Sequence, residues 1–463
     1  MTAVSIPAST SLRSTSPWPT FAVCAIAAYI STLDLSIVNV AFAEIARTFP
    51  GSSRSTISWV VTAYSILFGA LLVVSGRLAD RLGRKRVFQQ GVALFLAGSV
   101  VCAAAPSLTL LVAGRAVQGV GGAMMTPAAI GLLIAAFSQA QRSKVVAWNG
   151  AIGALGVASG PTLGAFVIDS FGWRAAFWIN VPICAVAFVM GTRVLHESPR
   201  QESTRPDVSG SVLLTLGVAA LVWSISRVES TSWTDPTVVS LAVIALVFVG
   251  AVIHRSRSHP EPLLPPELFR ERTFSAANFS SILFGAAFAG MILNNVLFLR
   301  TIWGYGVLEA GWLSVLAPTT VAVVSFVVGR VMGRIGFRRL LIAGPLGFAL
   351  TAILQVRLLD VERQPWTHWL PLMVLLGVSI GCTFPVLAAA AVNRLPPDRF
   401  ALGGAINNTF RQIGAAIGVA LVVTVQTASD GIAGFQDAWR VCAAAAVCAA
   451  LVSLYQPRQV RGV

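Results

Sequence analysis

The chain has 463 residues, of which 56% are hydrophobic and only 11% charged, with mean hydropathy +0.78 and formal net charge +15. A water-soluble chain of this length carries roughly 25% charged residues, so a soluble enzyme or soluble binding module is excluded. The apolar runs long enough to cross a ~30 Å hydrocarbon core number about fourteen, which describes a polytopic all-α membrane protein.

In chain order the predicted spans are 19–43, 57–76, 87–105, 107–127, 145–168, 175–195, 208–226, 237–254, 274–300, 310–329, 340–357, 368–391, 401–426 and 437–455. Residues 1–18 form a polar Ser/Thr/Pro-rich tail without a cleavage site, so the first span is expected to be retained. Spans within 19–195 make an N-terminal six-helix half, and those within 273–455 a C-terminal one. Residues 196–272 connect them and carry two extra spans, and 456–463 form a short tail.

The basic residues decide between a nucleic-acid partner and a membrane topology. Arg77, Arg81, Arg84, Lys85, Arg86, Arg142, Lys144, Arg193, Arg255, Arg257, Arg330, Arg334, Arg338 and Arg339 fall in loops on one side, with many others. Only Arg47, Arg54, Arg174, Arg227, Arg357 and Arg363 fall in loops on the other. This asymmetry follows the positive-inside rule, placing both termini in the cytoplasm, and no nucleic acid is needed to explain the charge. Trp59, Trp173, Trp178, Trp233, Trp303, Trp312, Trp366 and Trp369 lie at predicted outer span ends, as an interfacial belt would. The six cysteines all fall inside spans, with no metal-ligand spacing.

The first span contains Asp34, the one carboxylate of eighteen placed deep in a span. Its insertion costs about 2.5–3.5 kcal/mol. Desolvation disfavours the charged form of a carboxylate, so an acid there is suited to exchanging protons as access alternates. The plainer reading is a permanently paired Asp that ties helices together. Arg115 in the fourth span also needs a partner, and Asp34 is the natural one. In the fifth span Gly153, Gly156, Gly160 and Gly164 bare one helical face for close approach, while Pro161 removes a backbone donor and permits a bend. This face is expected at the interface between halves. Arg411 is a second buried cation. Gln118, Asn149, Asn294, Asn295, Asn407, Asn408 and Arg411 are expected polar contacts of a substrate cavity between the halves, although each amide serves equally well as an interhelical tie.

Two loops repeat one another: GRLADRLGRKRV from Gly76 and GRVMGRIGFRRL from Gly329, aligned at an offset of 253 residues. The same offset carries the first span's start onto a span beginning near 272. Parallel repeats of this kind mark transporters whose substrate path runs between the halves. In the first loop Gly76 and Gly83 allow tight turns, and Asp80 can cap a helix or pair with an arginine across the halves. Gly333 replaces that aspartate in the second copy.

With these motifs in order, the sequence resembles the major facilitator superfamily, in particular its fourteen-helix drug/proton antiporter branch. LDLSIVNVAFAEIA (33–46), GRLADRLGRKR (76–86), LLVAGRAVQGVGGA (110–123), GVASGPTLGA (156–165) and INNTFRQIGAAIGVAL (406–421) carry the resemblance. It departs at Phe42 and Ala43, where a proline usually follows Ala-Leu, and at Ala165, where a second glycine is usual. The resemblance implies the major facilitator fold of two six-helix halves, here with two inserted central helices. It also implies proton coupling through Asp34 and Arg115, and a cytoplasmic gating loop of Gly76, Asp80, Arg81, Gly83 and Arg84. Gly156, Gly160, Pro161 and Gly164 would form the antiporter motif.

An ATP-driven pump is disfavoured, because the chain has no G-x-x-x-x-G-K-[ST] loop and only two lysines. The four histidines lie at span ends or in loops, which leaves no catalytic constellation within the spans. A sensor built on the same fold would be expected to lose Asp34 or the loop signature. The reading reached is proton-coupled efflux of drugs or other hydrophobic small molecules across a bacterial plasma membrane. Proton symport into the cell and export of lipid-like metabolites are the alternatives. The expected partners are the bilayer, protons and a small-molecule substrate; the expected unit is a monomer, with no cofactor and no metal.

Overall fold

The computed structural model describes residues 16–52, 54–197, 207–228, 231–260, 262–396, 399–429 and 431–457. Most of the N-terminal tail, part of the connector and the last residues of the C-terminal tail lie outside them. Each apolar run becomes a helix, because a segment within hydrocarbon must bond its backbone polar groups internally. The first half comprises α1 (Trp18–Thr48), α2 (Arg54–Leu82), α3 (Arg84–Ala104), α4 (Leu108–Ala136), α5 (Gln139–Phe171), α6 (Ala175–Trp178) and α7 (Asn180–Val194). An inserted pair follows, α8 (Val208–Val228) and α9 (Pro236–Ser256). The second half holds α10 (Arg272–Thr301), α11 (Val307–Ser314), α12 (Leu316–Ile335), α13 (Phe337–Leu358), α14 (Leu370–Val392), α15 (Phe400–Ala428) and α16 (Ile432–Ser453). Among the described residues thirteen helical segments are long and apolar enough to span a membrane, and α5, bent by 42° between 157 and 159, makes a fourteenth.

The repeat in the sequence is a repeat in the backbone. Gly83 ends α2 and starts α3 at φ +107°, and Gly336 does the same between α12 and α13 at φ +88°. A side chain rarely adopts such angles, which accounts for glycine at both positions. The copies differ in chemistry. Asp80 accepts two bonds from Arg84 at 2.9 and 3.0 Å, one turn along its own loop, whereas the matching second-half positions are Gly333 and Phe337. The sequence left open an Asp80 pairing across the halves; its carboxylate bonds Arg84, within its own half. Capping of α3 falls to Glu197, whose two carboxylate oxygens accept from the amides of Lys85 and Arg86.

The loops rich in arginine gather at one end of the bundle, the basic face. There α8 begins at Asp207, which is buried and accepts from Arg255 Nε at 2.6 Å, from the Gly210 amide at 2.8 Å and from the Leu263 amide at 3.3 Å. Burial alone raises a carboxyl, but these bonds and the Arg255 charge outweigh it and hold Asp207 below the usual range. A lowered folded value stabilises the protein above the unfolded value of about 3.9 and loses that contribution as pH falls through the folded one. The melting-temperature gap between native protein and Asp207→Asn is therefore expected near pH 7 and should close as pH drops below about 4. A gap unchanged from pH 7 to pH 3 would contradict this account of the connector.

The pair α8 and α9 lies along the seam between α2 and α15. Val218 and Val222 approach Gly69 of α2, while Ile225, Val228 and Val238 pack with Ala420 of α15. Helix α9 leaves Val243, Leu246 and Val247 exposed, an apolar outer face suited to lipid. The expected tryptophan belt divides, with Trp59 half-buried against Trp223 and the other seven in two groups. Trp178, Trp233, Trp312 and Trp366 are exposed, but Trp173, Trp303 and Trp369 are buried. The indole N–H groups of those three bond Thr48 Oγ1 and the carbonyls of Asp360 and Leu313, respectively. These three close loops over the core instead of anchoring the surface.

Candidate functional site

Five helices of the first half converge on Asp34. Its side chain and that of Arg115 are fully buried, with Arg115 Nη1 donating to Asp34 Oδ2 at 2.5 Å. Asp34 Oδ1 accepts from Asn180 Nδ2 at 2.7 Å and from Gln118 Nε2 at 3.2 Å. Ser99 ties the amides together, accepting from Gln118 at 2.7 Å and from Asn180 at 3.4 Å. Arg115 also donates from Nε to the Val60 carbonyl at 2.8 Å and from Nη1 to Gln118 Oε1 at 2.9 Å. Its guanidinium carbon lies 4.4 Å from the centre of the Tyr64 ring, where a desolvated cation–π contact contributes about 2 kcal/mol. Taking two ions out of water costs several kcal/mol each, and only short, well-directed bonds repay it. Among the described residues Arg115 Nη2 and Asn180 Oδ1 are buried without a hydrogen-bond partner.

Asn180, Ser99, Tyr64 and the Val60 carbonyl were not foreseen as members of this site. Asn180 stands in an apolar run just ahead of Pro182, and Tyr64 is one of only four tyrosines. A polar group in each span was visible in the sequence; their common meeting point was not.

Helix α5 explains why α1 can present Asp34 so close to its neighbours. Cβ atoms added at Gly156 and Gly160 would meet Thr32 Oγ1 and Ser36 Oγ, each at 2.3 Å, and one at Gly164 would meet Ile37 at 2.9 Å. The bared face therefore packs against α1 within the first half, not at the interface between halves as expected. The reason lies in the other face of α5, which carries larger side chains to the second half: Trp148 stacks on Phe326 at 5.1 Å and Thr162 Oγ1 bonds the Gly311 carbonyl at 2.8 Å. Pro161 lacks the N–H that would bond the carbonyl of Val157, and Ser36 of α1 donates to that carbonyl at 2.8 Å. The bend and the close α1 contact thus satisfy each other.

Between the halves lies a cavity of about 70 Å³. Asn149, Asn407, Asn408 and Arg411 line it, with Ser31 and Thr32 of α1, Thr126 and Ile130 of α4, and Ala388 of α14. A drug-sized ligand needs about 300–1,000 Å³, so the halves must part to admit one. The two halves also touch through Trp148 and Phe326 and through Thr162 and Gly311. Ser31 links the cavity to the ion pair, because its carbonyl accepts from the Tyr64 hydroxyl at 2.9 Å.

Three expected cavity residues lie elsewhere. Gln118 belongs to the Asp34 cluster, since a step of three from Arg115 puts both on one helical face. Asn294 donates to the Phe435 carbonyl and accepts from Gln426, while Asn295 accepts from Gln355 at 3.2 Å and from Trp439 at 2.9 Å. Both tie α10 to its neighbours inside the second half. The loop residues Gly76, Asp80, Arg81, Gly83 and Arg84 lie together at the basic face. Arg84 Nη1 reaches the Gly131 carbonyl of α4 at 3.1 Å, one residue from Ile130 in the cavity wall.

Comparison with known proteins agrees with this architecture. The Major Facilitator Superfamily profile matches residues 24–419 and again 277–461. Multidrug resistance protein Stp of Mycobacterium tuberculosis is 30% identical over 397 residues, which cover 86% of this chain and 73% of that protein. The methylenomycin A resistance protein of Bacillus subtilis is 31% identical over 440 residues, 93% of this chain and 92% of that protein. The puromycin resistance protein pur8 of Streptomyces alboniger is 32% identical over 414 residues, 89% and 82%. Among solved structures, the human organic anion transporter MFSD10 (TETRAN) superposes with a TM-score of 0.68 at 16% identity, covering 95% of this chain and all of that one, a likeness of fold. With fourteen apolar spans, a repeated half and a family profile over most of its length, this chain is a transporter, not an enzyme, and it belongs to the Major Facilitator Superfamily.

Proposed function

We propose that the protein is a proton-coupled exporter, exchanging H⁺ for drugs or other hydrophobic small molecules by alternating access of the central cavity. It works as a monomer in a bacterial plasma membrane, with both termini cytoplasmic and no cofactor beyond the proton gradient. One observation carries the reading: a fully buried Asp34–Arg115 pair inside membrane-spanning helices, where ionisable groups are costly and mark ion paths.

Protonation of Asp34 removes the charge that holds Arg115. The guanidinium then keeps Gln118 Oε1, the Val60 carbonyl and the Tyr64 ring, all in the first half. Tyr64 and Ser31 pass that change to the cavity wall, and substrate entering there acts back on the pair along the same contacts. Because the carboxylate is sealed from solvent here, proton and substrate gain access only as helices shift. One charge crossing 100 mV supplies about 2.3 kcal/mol, enough to bias such a cycle. The loop at the basic face serves as a gate, with Asp80 holding Arg84 against the end of α4. The names of the relatives, which include multidrug, methylenomycin and puromycin resistance proteins, support export of small toxic molecules.

Inside-out vesicles separate export from its symport alternative. With the lumen made acidic, labelled puromycin is expected to accumulate in vesicles carrying the native protein well above the level that an acidic lumen traps in protein-free vesicles, and collapse of the gradient should release it. Accumulation driven by the opposite gradient would establish symport and overturn the exporter.

A further inference from the structure

Arg115 and Arg411 both lie within spans, and among the described residues only Arg115 has an acid. Arg115 is neutralised by Asp34. Arg411 borders the central cavity, and among the described residues no carboxylate comes within ion-pair distance of it. Among the described residues lining the cavity it is also the only charged side chain. One of its five N–H donors is used, from Nη2 to Asn408 Oδ1 at 2.7 Å, and its guanidinium carbon lies 5.5 Å from the centre of the Phe384 ring. An amide oxygen accepts a hydrogen bond but cancels no charge. A cation held in the membrane without a counter-ion is costly, and such groups mark substrate paths. Asn149 lines the same cavity, and its Oδ1 is buried with no hydrogen-bond partner among the described residues. The rest of the wall is mixed, with the amides of Asn407 and Asn408 and the hydroxyls of Ser31, Thr32 and Thr126 beside apolar Phe68, Ile130, Val146 and Ala388.

We propose that this cavity selects amphiphilic anions, in which a hydrophobic body carries one carboxylate or similar oxyanion. The anion pairs with Arg411, a donor elsewhere on the ligand meets Asn149, and a permanently cationic molecule is repelled. The inference rests on the exporter reading in taking this cavity as the substrate site, and it names the substrate class.

The test uses the full-length protein in detergent at fixed pH, without a gradient, and three probes with one aromatic body: 2-naphthylacetate, 2-naphthylacetamide and 2-naphthylmethyltrimethylammonium. Equilibrium dialysis against protein-free micelles should rank the carboxylate tightest, by about tenfold over the amide, with the ammonium weakest. Arg411→Gln should bring the carboxylate down to the level of the amide and leave the amide unchanged, while Arg411→Lys keeps the preference. The proposal is overturned if the native protein binds no naphthylacetate saturably, if it binds the amide or the ammonium as tightly, or if folded Arg411→Gln keeps the preference. Should Arg411→Gln not fold, the ranking of the three probes by the native protein decides. Because no gradient is present, failure here leaves proton-coupled export standing, and failure of the vesicle experiment leaves this selectivity standing.

Discussion

Asp34→Asn is expected to abolish gradient-driven accumulation while leaving substrate binding within about twofold of native. Asparagine keeps the shape of the side chain and an acceptor for Gln118 or Asn180, but carries no exchangeable charge. The same change leaves Arg115 buried with no counter-ion, and breaking a buried pair in this way costs about 3–5 kcal/mol of stability. Adding Arg115→Gln removes the stranded cation. Thermal unfolding in detergent should therefore show the double variant recovering most of the stability lost by the single one, with transport still absent. If stability and transport returned together, the pair would be a structural tie and the coupling assignment would fail.

The second large effect is steric. Gly156→Val places a Cβ where Thr32 Oγ1 is 2.3 Å away and the Tyr29 carbonyl 2.6 Å away. A hydroxyl can rotate aside, but the carbonyl belongs to the backbone of α1 and moves only if the helix moves. Overpacking of this sort costs about 1–3 kcal/mol. The displacement falls on the turn that carries Asp34, so transport should fall further than stability does. Gly153 is the control. Its nearest neighbour, a methyl of Thr32, is at 3.8 Å, an ordinary contact. Gly153→Ala should change stability by less than about 0.5 kcal/mol. Equal losses in the two variants would remove the α1–α5 contact from the account.

Much of the architecture was legible because a membrane constrains sequence more severely than water does. Every span had to be an apolar run, and the helices extend those runs by a few residues, as Trp18–Thr48 does for 19–43. Gly83 and Gly336 could be matched in advance because positive φ demands glycine at the same place in both halves. Asp34 and Arg115 stood out because charge inside apolar spans is expensive, and their pairing followed from the cost of leaving either one alone.

The unread features depended on where helices lie relative to one another. The spacing of Gly156, Gly160 and Gly164 shows that one face of α5 is bare, but says nothing of its neighbour, which proved to be α1. Amides in apolar spans must be bonded, yet their type does not choose between a cavity wall, as for Asn407, and a helix tie, as for Asn295. A tryptophan at a span end fits either a lipid interface or a loop closing over the core. Trp366 is exposed and Trp369, three residues on, is fully buried. Gln118 was misplaced although its step of three from Arg115 would have put it in the right cluster.

The most direct test of the central claim is proton movement driven by substrate. Native protein and Asp34→Asn are sealed into vesicles with a trapped pH dye and no imposed gradient, 2-naphthylacetate is added on one side only, and protein-free vesicles give the pH change caused by passive entry of the acid. For the native protein, substrate running down its own gradient should drive protons the opposite way beyond that background, and Asp34→Asn should show the background alone. A variant that moved as many protons per substrate as the native protein would show that the acid in α1 is not where coupling occurs.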